Sequence, residues 1–515
     1  MLALALLVLV SACTASGDPG GDASPSKTSR APSSSADPVL LRFAVYGGPQ
    51  LLRAYQRLAN AFMREHPAVH ILLERAATGA ESRRRLDRQF AAGNGPDVFV
   101  TDSSLVPSLV AEGRVQPVDG LLEERGIQFG DNYERLGLEA MADNAALQCM
   151  PNDVSPYVVF YNKRLMNTSL LPSGTNQPPR PERNGWSWNQ FTVAAAQMST
   201  DRAKGLYLPP GLTTLTPLMR SAGRDIVDNP TQPTTLTLSP SSNRGAMRRI
   251  LDVARNQTIT LTPRELAAQS PVSRFLHGRL GMMVGTRALV PRLRQNPELR
   301  FDVYPMPSLG RGQTVAEVSG YCINHDTQHQ SAAADFLAFA SGDKGSTITS
   351  ASGAIVPANL NVQNSDAFTQ TNHFPLNVGV FTRVIRRATL MPNPPAWADV
   401  VQQTRPLVRR LFYSQRNDLD VLLPEIDRIS APLLAQPTPS PSQSPSQSPS
   451  ESPGQSPGQS PTGSPGGSPG PSDSGSAGAT SGATSGATAT SGDQPRDLAP
   501  SSRSGHGSPT ANAMR

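Results

Sequence analysis

Apolar and polar positions alternate along the first third of the chain in two distinct rhythms. Leu40, Leu41, Phe43, Val45 and Tyr46 lie in a run that reads as a strand, and Gly47-Gly48-Pro49 ends it. From about Gln50 to Glu65 the spacing of Leu52, Tyr55, Leu58, Ala59 and Phe62 is helical, and His66-Pro67 stops the pattern. Val69 to Glu74 reads as a second strand. Arg83 to Ala92 reads as a helix with Leu86 and Phe90 on one face, and Gly93, Gly95 and Pro96 break it. Asp97-Val98-Phe99-Val100 then reads as a short buried strand. Strand, helix, strand, helix, strand is the rhythm of a doubly wound α/β sheet. Ligands of such sheets bind beyond the carboxyl ends of the strands. Thr101 and Asp102 stand at such an end and are candidates for ligand contact. A further helix is expected from Leu105 to Glu112, and others at Pro217 to Ala222, Asn243 to Asn256 and Val400 to Leu411.

Composition changes this picture mainly at the two ends. The chain has 515 residues, enough for two lobes with separate cores. Much of its proline lies after Gln436, where Ser-Pro-Ser-Gln repeats give way to Gly-Ala-Thr-Ser repeats. Large apolar residues are nearly absent there, so burial does not offset the entropy of ordering, and residues 436–515 are expected to be extended and disordered. A solvated spacer and a wall-penetrating or glycosylated segment both fit that tail. At the other end, Leu2 to Val10 is apolar but too short for an ordinary transmembrane helix. Val10-Ser11-Ala12-Cys13 resembles a bacterial lipobox, which implies a signal peptide over residues 1–13 and a diacylglyceryl Cys13. Two acyl chains give stable anchoring where one is marginal. The missing Lys or Arg before the apolar run is a departure from that pattern. Residues 14–38, rich in Ser, Pro and Gly, read as a flexible tether.

Charge and candidate chemistry exclude more than they select. A formal charge of +6 is modest for this length, and no basic run with interleaved aromatics points to nucleic acid. The chain has no His-Glu-x-x-His string, no Gly-x-Ser-x-Gly elbow and no Walker loop. His325 and His329 have helical spacing but form an isolated pair. No enzyme, metal or cofactor is expected.

Several strings in order carry a resemblance. They are Gly95-Pro96-Asp97-Val98, Gln148-Cys149-Met150-Pro151, Phe160-Tyr161-Asn162-Lys163, Trp186-Ser187-Trp188-Asn189-Gln190-Phe191, Phe275 to Arg287, Phe301 to Pro307, Ala332 to Ala340 and Gly353 to Ala358. Together, over roughly Leu40 to Leu434, they resemble the extracellular solute-binding proteins of ABC importers, in the sugar-binding family related to maltose-binding protein. The resemblance implies an α/β, two-lobed periplasmic-binding-protein-like fold with a hinge and an inter-lobe cleft. Lobe one is expected to comprise 40–148 plus 323–370, and lobe two 152–318 plus 371–434. It further implies a monomer on the outer face of the cell membrane, with a small solute, a sugar or oligosaccharide, and the importer's permease subunits as partners. A ligand sensor or envelope scaffold of the same fold, uncoupled from transport, is the alternative.

The resemblance also carries the candidate ligand contacts. These are Tyr46, Gly47, Gln50, Asp102, Tyr157, Thr286, Arg287, Ser319, Gly320, Tyr321 and Trp397, with Tyr46 and Trp397 equally suited to a core. Asn152 to Tyr157 is expected to be a cleft loop. Ser187 suits a helix N-cap, and Trp188 and Phe191 are assigned to the core. Arg287 stands about where the family often has tryptophan; a guanidinium offers hydrogen bonds and charge in place of a stacking face, and leaves room for an anionic or mixed ligand. Once Cys13 is lipidated, Cys149 and Cys322 remain, both on segments that resemble side-by-side inter-lobe crossings. A disulfide and a pair of buried free thiols are both open readings.

Overall fold

Three parallel strands carry the pattern at the start of the chain. Val39–Tyr46 (β1), Val69–Ala76 (β2) and Val98–Asp102 (β3) pair with β1 in the middle. Leu41, Phe43, Ala44 and Val45 of β1 are buried toward both faces, as a sheet covered by helices on both sides requires. Pro49–Glu65 (α1) starts with proline at its first turn, where the missing N–H costs nothing, and buries Tyr55, Leu58 and Phe62. Gly79–Ala91 (α2) begins four residues before the expected Arg83. Thr78 caps it by accepting from the Glu81 N–H, a start that the apolar spacing does not reveal. This computed structural model describes residues 38–172, 180–181, 185–392, 394, 396–415 and 418–435. The leader and Cys13, residues 14–37 of the tether and the tail from 436 lie outside the described residues.

Two large sheets divide the strands, apart from a two-stranded ribbon of Ala142–Asp143 and Ala146–Leu147. The first adds Cys149–Pro156 (β4), Thr314–Ile323 (β9) and Ala388–Leu390 (β10) to β1–β3. The second has four strands: Val158–Asn162 (β5), Lys204–Tyr207 (β6), Leu280–Gly285 (β7) and Phe301–Pro305 (β8), in the order β8-β5-β7-β6. The chain steps from one sheet to the other at Tyr157, and returns between β8 and β9. β4 and β9 run antiparallel along most of their length, from Ala316 opposite Pro156 to Cys322 opposite Cys149. The expected cleft loop over Asn152 to Tyr157 is therefore strand up to Pro156, because β9 supplies its backbone partners. The same pairing means that a lobe boundary placed at Asn152 or at Val318 falls inside paired strands.

Cys149 and Cys322 are joined by a disulfide, with a Cα separation of 4.4 Å. They stand directly opposite one another in the β4–β9 ladder. Around β1 and α1, Phe43, Tyr55, Phe62, Tyr321 and Phe336 form an aromatic core, Phe336 coming from Gln330–Ser341 (α4). A second core gathers Trp186, Trp188, Phe191 and the stacked pair Tyr161–Tyr304. Trp188 opens Trp188–Gln197 (α3), where Ser187 and Gln190 form a reciprocal capping box, so both side chains assigned to the core lie there. Trp397–Tyr413 (α5) and Leu419–Leu434 (α6) close the described chain.

Candidate functional site

A cavity of about 630 Å³ opens where β1 and β3 end, in the size range of small-molecule sites. Tyr46 to Leu51 line it from the β1–α1 turn, and Asp102 from β3. Thr286, Ala288, Leu289, Pro291 and Arg292 come from the segment after β7 of the second sheet. Asp153, Glu317 and Ser319 come from the paired crossing strands. Residues attached to both sheets thus face one space.

Local rules place each group. Gly47 has φ of 143°, and a Cβ there would lie 2.9 Å from Leu51 Cδ2, so only glycine turns β1 into α1 this tightly. Asp102 and Asp153 both stand opposite Ser319, one on each side of β9. Directly paired residues share a sheet face, with neighbouring strands about 4.8 Å apart. Glu317 lies two residues before Ser319 on β9 and so shares that face. Three carboxylates are gathered on one face without any motif in the sequence that joins them.

Hydrogen bonds hold these acids. Tyr46 Oη donates to Asp102 Oδ1 at 2.6 Å, and Gly79 leaves room for both side chains. Ser155 Oγ and the Val356 N–H donate to Asp153 Oδ1 at 2.7 and 2.8 Å. Tyr157 Oη donates to Glu317 Oε1. Beneath them Asn152 accepts from Tyr321 Oη at 3.0 Å and donates to Tyr55 Oη at 3.2 Å. Desolvation raises the pKa of Asp102, against the hydrogen bond from Tyr46. Desolvation raises Asp153 to about 7, against its two hydrogen bonds and with the Glu317 charge adding to the rise. Glu317 is open to cleft water yet walled by protein elsewhere, and that desolvation raises it too, with Asp102 adding. Burial and the Asp102 charge push Tyr46 well above an ordinary phenol, so it remains a donor.

Of the residues expected to touch ligand, Tyr46, Gly47, Gln50, Asp102, Thr286 and Ser319 line the cavity. Arg287 does not. Its side chain is 0% exposed, lies over the Phe368 ring at 4.1 Å and donates from Nη2 to the Phe368 carbonyl at 2.6 Å. Burial, then Arg294, lowers its pKa to about 9, which leaves it cationic at neutral pH. The arginine at the cavity is Arg292, five residues later and exposed. Tyr157 is buried and reaches the site only through Glu317. Tyr321 is fully buried and holds Asn152. Gly320 is a packing position, since a Cβ there would lie 2.6 Å from the Met150 carbonyl oxygen. Trp397 packs on the second core, and Thr101 is buried away from the cavity.

Asp153 and Glu317 line the cavity without being among the expected contacts. Asp153 lies in the segment expected to be a cleft loop, and its pairing with Ser319 is what turns it to this face. Glu317 was legible in principle, because strand alternation puts it on the face of Ser319. A second cavity of about 720 Å³, lined in part by Trp186, Arg311 and Arg387, shares no residue with the first.

The sequence pattern of bacterial extracellular solute-binding proteins matches residues 57–376. The chain belongs to that family. Solute-binding proteins of known structure share its fold across their whole length. The ABC substrate-binding protein Lmo0181 of Listeria monocytogenes, solved with cycloalternan, matches at 16% identity and a TM-score of 0.67, covering 76% of this chain and 98% of that one. The GacH receptor of Streptomyces glaucescens, solved unliganded and with acarbose, matches at 18% identity and a TM-score of 0.63, covering 77% and 98%. The maltose-maltodextrin binding protein of Alicyclobacillus acidocaldarius matches at 18% identity and a TM-score of 0.61, covering 77% and 100%. The fold is thus the two-lobed α/β fold of periplasmic binding proteins, and this solute-binding protein is an extracytoplasmic one. No described helix is long and apolar enough to cross a membrane.

Proposed function

We propose that this solute-binding protein captures a sugar or oligosaccharide in the cavity between its two sheets and delivers it to an ABC importer. Lobe one is built on the first sheet and lobe two on the second, with β4 and β9 as the hinge. The observation that carries the reading is the cavity itself, bounded by the β1–α1 turn on one side and the segment after β7 on the other. Movement of the two sheets about β4 and β9 closes it on a solute. Clustered carboxylates and phenols suit hydroxyl-rich ligands, because each ionised oxygen accepts more than one hydrogen bond. The sugars named for the structurally similar proteins support the same class. A diacylglyceryl Cys13 would hold the protein at the outer face of the membrane, with residues 14–38 as a tether. It acts as a monomer and has no catalytic role.

Titration calorimetry with mono- and oligosaccharides tests this reading. At least one sugar should bind, and Asp102→Ala should weaken it by about 30-fold or more, since a charge-assisted hydrogen bond is worth roughly 2 kcal/mol. Absence of binding across the panel, or equal binding by Asp102→Ala, overturns it.

A further inference from the structure

The charge of the cavity restricts its solute further. Asp102 and Asp153 flank Ser319 on one sheet face, and Glu317 lies two residues along the same strand. Each acid ties one oxygen to the protein: Asp102 Oδ1 to Tyr46, Asp153 Oδ1 to Ser155 and Val356, Glu317 Oε1 to Tyr157. Asp102 Oδ2, Asp153 Oδ2 and Glu317 Oε2 have no hydrogen bond among the described residues, and none of the three is sealed from solvent. Arg292 is the only cation among the described lining residues, and it is exposed at the rim. The buried Arg287 gives its hydrogen bond to Phe368 and stays outside the cavity, its charge offsetting that of Asp153 only in part.

Closure of the lobes strips water from these three acids. A hydroxyl of a neutral sugar restores a hydrogen bond but no charge. An ammonium restores both, and charge-assisted bonds are roughly twice as strong as neutral ones. A phosphate or uronate sugar meets like charge and is disfavoured. We propose that the solute is an amine-bearing sugar whose ammonium sits among Asp102, Asp153 and Glu317, so that the site selects it over the matching hydroxyl sugar and over anionic sugars. This inference rests on the sugar reading above. A neutral ligand leaves these three acids, once the closing cleft has taken their water, to take up a proton, whereas an ammonium removes that need.

Calorimetry on the purified protein with matched probes tests it: glucosamine against glucose, the glucosamine trisaccharide against cellotriose, with maltotriose, glucuronate and spermidine alongside. An amino sugar should bind about tenfold or more tightly than its hydroxyl counterpart, as one added charge contact in a desolvated site predicts. In Asp153→Asn or Glu317→Gln that ratio should fall by about threefold or more. A hydroxyl sugar or glucuronate that binds as tightly as the matching amine overturns the proposal, as does a ratio unchanged in both variants. Spermidine binding with no sugar bound overturns the sugar reading and keeps the ammonium site. Binding of none of the probes overturns both.

Discussion

At the scale of single residues, Arg287 and Asp153 show how far burial redirects chemistry that residue type suggests. Arg287 occupies the position expected to face the ligand, yet the fold turns it inward over Phe368. Its Nε and Nη1 have no hydrogen-bond partner among the described residues. Buried charges with unmet donors are costly, and apolar replacements of similar volume are often neutral or stabilising. Arg287→Met should therefore keep stability within about 1 kcal/mol or raise it. Arg287→Ala should lose about 2–5 kcal/mol, because it empties the space beneath Phe368 and Phe381. Urea unfolding of both variants checks this; equal losses would contradict the account of Arg287 as a buried charge with unmet donors. Asp153 gives a pH signature. Its folded pKa of about 7 lies above the unfolded value near 4, so the native state holds the proton more tightly. Its contribution to stability is then greatest below about pH 4 and is lost as pH rises through about 7. Glu317 steepens the effect, while Ser155, the Val356 N–H and Arg287 oppose it. The difference in unfolding free energy between wild type and Asp153→Asn, followed from pH 4 to 8, should shift in favour of the variant as pH rises. A flat difference removes Asp153 as an acid held above its ordinary pKa.

At the scale of elements, the sequence was most legible where apolar spacing and breakers agreed. β1, α1, β2 and β3 fall where Phe43, Tyr55, Phe62 and Val98 place them, because each element buries its own face against the next. α3 begins where Ser187 and Gln190 can cap it. The second half of β4 was not legible as strand: Asn152, Asp153 and Ser155 are polar, and only pairing with β9, more than 150 residues away, makes them strand. Such long-range pairing leaves no local signal. The same pair holds the Cys149–Cys322 disulfide, which closes a loop with a sequence separation of 173. In the chain-entropy model a loop of that size gives about 5 kcal/mol of stabilisation. Reduction, or the Cys149→Ser/Cys322→Ser double variant, should lower the thermal midpoint by several degrees and leave solute affinity largely intact, since neither sulfur lines the cavity. An unchanged midpoint after verified reduction would show that the crossing strands need no staple.

At the scale of the whole molecule, the order of weak matches along the chain foretold the family and the two-lobed fold, and six of the eleven expected ligand contacts line the cavity. Tyr46, Gly47, Gln50, Asp102, Thr286 and Ser319 line the cavity because they stand at strand ends or on the crossing strand, which chain order alone can place. Arg287, Tyr321 and Trp397 do not, because which way a side chain turns depends on neighbours such as Phe368, Asn152 and the second core. The acidic character of the cleft emerged only when β3, β4 and β9 lay side by side. The central claim is that this cavity holds the solute. A crystal structure of the protein grown with the tightest-binding sugar from the calorimetric panel tests it most directly. The account predicts sugar density in contact with Tyr46, Asp102, Asp153 and Glu317, with the segment after β7 drawn toward β1. Sugar bound in the arginine-lined cavity beside Trp186, with the first cavity empty, would contradict it.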